Sequence, residues 1–249
     1  MIICLRPQPD CDADVSVLTA EGIQTVALPM LNILYPPDPP DLLSRPDFAS
    51  QYQGLIITSK QAARYLAATA QDLPGLSALP AWCVGAASAD ILRSAGFQIA
   101  DHGRSGAVEL ASRISRAAPG SQPAYLWLSG RDIHFDIGAC LSDAGVSVDR
   151  VIVYQAEPLN RPRPDITDRL AAGGRVGVVV FSARTFSLFE TWRADHTAPA
   201  HKAQMTILAA SPALAEQARA AGFETCTAEM PEREAVLGLC RDWSAQNIS

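Results

Sequence analysis

The sequence predicts an α/β protein built of two similar flavodoxin-like parallel-sheet domains joined by a two-stranded linker. Three observations carry that reading. Strand-length runs of Val, Ile and Leu alternate with helical patterns along the chain, as in parallel sheets covered by helices on both faces. The pattern also repeats: Ser59 and Ser182 stand 123 residues apart, and so do Gly22 and Gly145. A third pair, Phe97 and Phe223, ends WCVGAASADILRSAGF and ILAASPALAEQARAAGF at an interval of 126, so one short indel separates matching halves. A fixed offset of this size marks a duplicated domain, since solenoid periods run roughly 20–50 residues. Finally, two proline-rich stretches interrupt the pattern, and their positions bear on how the halves combine.

In chain order the repeat reads as four units. The first, about 1–32, opens on the apolar IICL and holds LTAEGIQTVALP. The second, about 50–118, has strand LIIT running into Thr58-Ser59 and helix KQAARYLAATA, then strand WCVG and helix ASADILRSAG. A third, about 123–155, resembles the first, with strand AYLWLSG, a helical pattern over IHFDIGACLSDAG and a strand around VIVYQ. In the fourth, about 176–245, strand VVVF leads into Ser182 and strand ILAA into Ser211. Helices end at Gly22, Gly96, Gly145 and Gly222, where a glycine takes the left-handed cap conformation without a Cβ penalty.

Connection chemistry then suggests which units fold together. Between the second and third lies only Pro119-Gly120-Ser121-Gln122-Pro123, the length of an ordinary loop inside a domain. The other two connections, Tyr35-Pro36-Pro37-Asp38-Pro39-Pro40 and Glu157-Pro158-Leu159-Asn160-Arg161-Pro162-Arg163-Pro164, behave as semi-rigid spacers. The expectation is a contiguous domain over 38–152, a discontinuous one from 1–32 and 160–249, and linker strands at 33–37 and 153–159. A tandem arrangement, first unit with second and third with fourth, stays open.

Composition narrows the function. The 249 residues, 48% hydrophobic, suffice for two domains each with its own core. The net charge of −6, with scattered Lys and Arg, argues against nucleic-acid binding. Apolar runs such as VGVVVF are too short to cross a bilayer, and the N-terminus lacks the pattern of a signal peptide, so the expected location is cytoplasmic. Six cysteines show no C-x-x-C spacing and the four histidines are dispersed, which suggests reduced thiols and neither zinc nor a redox dithiol. The absence of G-x-G-x-x-G, a Walker-type loop and G-x-S-x-G points away from a nucleotide cofactor and from an acyl-enzyme serine.

The strand-to-helix turns at Thr58-Ser59, Gly85 with Ser88, Ser182 and Ser211 are the candidate ligand positions. Each serine fits helix capping alone. In open parallel sheets these turns also lie at the carboxyl edge, where helix N-termini attract anions. A cleft between two such edges would suit a polyanion.

In order along the chain, Arg6-Pro7, Thr58-Ser59, Val84-Gly85 with Ser88-Ala89, Leu126 to Asp132 (L-x-x-S-G-R-D), Val153-Tyr154-Gln155 and Phe181 to Phe186 (F-S-A-x-T-F) resemble the uroporphyrinogen-III synthase family. The resemblance covers nearly the whole chain, and the combination carries it, each piece being a short strand-turn-helix phrase. It implies a cofactor-free, usually monomeric enzyme of tetrapyrrole synthesis. Its substrate would be hydroxymethylbilane, closed to uroporphyrinogen III with inversion of ring D and loss of water. By the same resemblance Tyr154 is the candidate proton donor. Ser59, Lys60, Gly85, Ser88, Arg131 and Ser182 are candidate substrate contacts, with Arg6 and Arg184 as carboxylate partners.

One phrase departs from the family pattern. The second G-x-x-T-A reads Ser211-Pro212-Ala213-Leu214-Ala215, which removes a hydroxyl while leaving a proline comfortable in a first helical turn. The rival reading is a non-catalytic two-domain binding protein that closes over an anionic or tetrapyrrole ligand.

Overall fold

A computed structural model describes residues 1–43, 48–73, 75–103, 106–117 and 124–247. The connection at 119–123 lies outside the described residues. Contacts divide the chain into two units, Met1–Asn32 with Glu157–Ser249 and Ile33–Ala156.

In the first unit the chain begins with β1 (Ile2–Cys4), α1 (Asp10–Ala20) and β2 (Thr25–Ala27). Strand β3 (Leu31–Leu34) then leads into the other unit, which contains β4 (Gly54–Ile57), α2 (Lys60–Thr69), β5 (Ala81–Val84), α3 (Ala86–Ser94) and β6 (Ile99–Gly103). It continues with α4 (Ala107–Ala117), β7 (Ala124–Gly130), α5 (Ile137–Ser142) and β8 (Ser147–Pro158). Back in the first unit follow α6 (Pro164–Ala171), β9 (Val176–Val180), α7 (Ala183–His196), β10 (Met205–Ala209), α8 (Pro212–Ala220), β11 (Glu224–Thr227) and α9 (Arg233–Gln246).

Each unit carries one sheet. Among the described residues the orders are β11-β10-β9-β1-β2 and β3-β8-β7-β4-β5-β6. Strand β1 pairs in parallel with both β2 and β9, and β7 pairs in parallel with both β8 and β4. Read from the strand that starts each repeat, both sheets follow the flavodoxin-like order 2-1-3-4-5, with β3 added at the edge of the second. Two similar α/β domains, each with a parallel sheet flanked by helices, are therefore present.

Residue alternation explains why both faces of each sheet are covered. In β4, Leu55 and Ile57 enter one buried cluster with Leu66 of α2 and Leu92 of α3, while Ile56 enters another with Leu110 of α4 and Ile137 of α5. The first unit's core gathers Ile2, Val178, Ile207, Phe186 and Trp243 among others. The glycines expected to end helices, Gly22, Gly96, Gly145 and Gly222, all have positive φ, between 79° and 89°.

Local structure departs from the sequence pattern at one helix. The pattern IHFDIGACLSDAG reads as helical from Ile133, but α5 starts at Ile137. Asp136 caps it by accepting from the Ala139 N–H at 3.0 Å, and Ile133 and Phe135 pack against the neighbouring apolar cluster from the preceding loop.

Candidate functional site

The singled-out turns sit at the carboxyl ends of strands in each unit. Ser59, after β4, has extended backbone and accepts from the Ala62 N–H at 3.2 Å. Ser182, after β9, does the same for the Thr185 N–H at 3.2 Å and lies 2.9 Å from the Thr185 hydroxyl. Ser211 caps α8 through the Leu214 N–H at 3.5 Å. Capping occupies these hydroxyls, so Pro212 and Leu214 in the altered phrase have not cost α8 its start. Gly85 precedes α3 with φ 81°, and its N–H donates to the Gly103 carbonyl at 3.0 Å. Ser88 is buried, 2% exposed, in the first turn of α3. Lys60 opens α2 and Arg184 lies in the first turn of α7, both half-buried.

Arg6 is engaged in a structural network. Its guanidinium lies 2.9 Å from Asp14 and 3.1 Å from Asp10, and sits over the Phe181 ring at 4.7 Å. Asp14, 1% exposed, also meets Arg233 at 2.6 Å. A buried carboxylate shared by two guanidinium groups, one from the chain start and one from α9, ties the discontinuous unit together.

Arg131 and Tyr154 are brought side by side. The Arg131 N–H donates to the Tyr154 carbonyl at 2.9 Å. Along β7 and β8, Ser129 faces Ile152 while Gly130 faces Tyr154, so Val153 is the extra residue of a bulge. Both side chains line a pocket of about 410 Å³ together with Leu34, Tyr35, Ile152 and Gln155, all within the 33–156 unit. Among the described residues the exposed Arg131 guanidinium is paired with no carboxylate. Of the residues anticipated from sequence, Ser59, Lys60, Gly85 and Ser88 share this unit but not the pocket lining, while Arg6, Ser182 and Arg184 belong to the other unit.

Two contributors, Arg150 and Tyr35, escape the sequence reading as site residues, and a third, Gly130, enters it only within the Leu126 to Asp132 phrase. Arg150 donates to the Ser129 hydroxyl at 2.8 Å and to the carbonyls of Gly130 and Arg131 at 2.7 and 2.9 Å, clamping the turn that presents Arg131. Its guanidinium also lies 5.1 Å from the Trp127 ring centre. Gly130 allows a close approach, because a Cβ there would lie 2.5 Å from Tyr154 Cζ and the ring would have to shift. Tyr35 enters the pocket from the proline-rich stretch.

A second depression, about 340 Å³, is formed by Trp82, Asp101, Arg113 and Arg116 and contains none of the anticipated residues. Among the described residues no group of three or more His, Cys, Asp or Glu side chains is gathered to hold a metal ion, and no helix is long and apolar enough to cross a membrane.

The family model described as uroporphyrinogen-III synthase HemD matches residues 12–238. The chain belongs to the uroporphyrinogen-III synthase family. Membership assigns it in general terms to the cyclases of tetrapyrrole biosynthesis, lyases acting on a small molecule. The uroporphyrinogen-III synthetase of Helicobacter pylori has a similar fold, with TM-score 0.65 at 17% identity, over 97% of this chain and 98% of that one. A mutant uroporphyrinogen III synthase from the extremely thermophilic bacterium Thermus thermophilus is similar over 100% of both chains, with TM-score 0.56 and 15% identity. Comparison with curated protein sequences gives no match. For a synthase family member, the pocket around Tyr154 and Arg131 is the candidate place for substrate.

Proposed function

We propose that this protein closes hydroxymethylbilane to uroporphyrinogen III, inverting ring D and releasing water, without a cofactor. The observation that supports this most directly is the shared pocket of Tyr154 and Arg131, one offering a phenolic proton and the other a cation. The bilane carries acetate and propionate groups, and a guanidinium grips a carboxylate through paired N–H donors. Tyr154 donates its proton to the departing hydroxyl, which leaves as water while the pyrrole nitrogen lone pair forms the azafulvenium cation. The inner substituted carbon of ring D attacks that electrophile to give the spiro intermediate. The spiro intermediate fragments at the bond between that carbon and the methylene to ring C, the free α-carbon of ring D bonds to the same methylene with the ring inverted, and the proton lost from this carbon restores the pyrrole and reprotonates the Tyr154 phenolate.

Unaided closure of the bilane to the uninverted isomer is a competing reaction, so leaving-group loss is intrinsically easy. The enzyme's task is then to hold one conformer and steer the attack, which is a matter of orientation more than of a strong nucleophile. The capped turn at Ser59, in the same unit as the pocket, would add backbone N–H donors of its helix start, its hydroxyl being engaged already.

The test supplies porphobilinogen and hydroxymethylbilane synthase to the purified protein, oxidises the product and separates the uroporphyrin isomers. Isomer III in excess is expected. Isomer I alone from folded protein would overturn the catalytic reading in favour of a tetrapyrrole-binding protein.

A further inference from the structure

Leu34, Tyr35 and Ile152 are among the few large apolar side chains left exposed in the described residues, and all three belong to the Tyr154 pocket. Tyr35 is 41% exposed, yet it is held from two directions. Its hydroxyl donates to Oε1 of the buried Gln61 at 2.9 Å. Its ring stacks on the buried Tyr65 with centroids 6.0 Å apart and planes inclined by 28°. Gln61 and Tyr65 both come from α2, one turn apart, so a single helix fixes both the hydroxyl and the ring. A solvent-facing aromatic that is already immobilised loses little freedom when a flat ligand stacks on it.

We propose that Tyr35 is the stacking platform for one pyrrole ring of the tetrapyrrole, with Leu34 and Ile152 as apolar walls and Arg131 meeting that ring's carboxylate. This rests on the tetrapyrrole reading of the pocket given above. A pyrrole bearing acetate and propionate presents an apolar face and an anionic rim, and the pocket offers an aromatic face beside a cation. Tyr35 moves no proton in this role. It is a positioning and specificity residue that restricts the conformers the flexible bilane can adopt beside Tyr154.

Uroporphyrin III, a stable and fluorescent tetrapyrrole, is the probe, titrated against wild type, Tyr35→Ala and Tyr35→Phe. Affinity is expected to fall about tenfold in Tyr35→Ala, the size of one lost aromatic stack. Tyr35→Phe keeps the ring and is expected to restore binding to within about twofold. With hydroxymethylbilane the Ala change is expected to fall on KM rather than kcat. Should Tyr35→Ala unfold in a thermal melt, Tyr35→Leu keeps apolar bulk without a ring and is expected to show the same loss. Equal affinity of the wild type and the ring-less variant, or no porphyrin binding by wild type, overturns the proposal. Isomer I alone from wild type, together with weakened porphyrin binding in Tyr35→Ala, removes the catalytic reading and leaves the platform standing.

Discussion

The ring of Tyr154 lies against the α-carbon of Gly130, so closely that a methyl group there would stand 2.5 Å from Cζ and 2.8 Å from the hydroxyl oxygen. Gly130→Ala is therefore expected to push Tyr154 aside. Overpacking of this kind costs about 1–3 kcal/mol, and denaturant unfolding reads it. Isomer III formation should fall at least as far as in Tyr154→Phe. Combining Gly130→Ala with Tyr154→Ala removes the clash, so stability should recover while activity does not.

Tyr154→Phe keeps the ring and its contacts and deletes only the proton. Positioned proton transfer contributes about 10²–10⁴-fold, so kcat should drop by that order with unfolding midpoints unchanged. Turnover at the wild-type level in this variant would remove the acid role.

The two arginines near candidate positions should separate cleanly. Arg131→Ala leaves no carboxylate stranded and should raise KM by about tenfold or more, the value of a charge-assisted contact of about 1.5–3 kcal/mol. Arg6→Ala strips Asp14 of one of its two guanidinium partners in a site 1% exposed. Its cost should appear as about 1–3 kcal/mol of stability, Arg233 still partnering the carboxylate.

Ser59→Ala and Ser182→Ala each remove a side-chain cap from a helix start. Each should cost about 1 kcal/mol, additively, because the two helices lie in different units. A KM effect larger than the stability effect would show that these hydroxyls also meet substrate.

Burial pushes the thiols of Cys11, Cys83 and Cys240 up to about 12, and that of Cys4 higher still. Raised pKa values mean that the unfolded chain releases protons first. Stability from these groups is complete below pH about 9, the ordinary thiol value, and declines as pH rises from there toward 12. In native protein at pH 8 a thiol reagent should reach Cys140 and Cys226, which are half-buried, before the four buried thiols, and all six only after denaturation.

The fold is largely legible in sequence because the signals for it are local. Alternating apolar runs, glycines after helices and serines before them read out strands, caps and stops within a few residues of each other, and Gly145 and Ser182 behave in the structure as that chemistry requires. The start of α5 is misleading because Ile133 and Phe135 look like helix-face residues, and only the cluster they pack against distinguishes them from a first turn. The site is harder. Arg6 reads as a free cation in sequence, and its engagement with Asp14 depends on α1 folding back beside it. Arg150 and Tyr35 carry no signature that separates a turn clamp or a pocket wall from an ordinary surface residue.

By itself the sequence determined a duplicated α/β architecture, the places where helices begin and end, and the family, since periodicity, capping and phrase order are properties of neighbouring residues. Connection chemistry suggested which units fold together while leaving the tandem pairing open; tertiary structure alone decided the neighbours strand by strand, β7 beside β4 and β1 beside β9, and that one extra residue in β8 sets Tyr154 over Gly130. Strand neighbours are chosen by contacts between distant segments. In a sheet whose side chains alternate faces, a one-residue shift of register decides which of them a pocket receives.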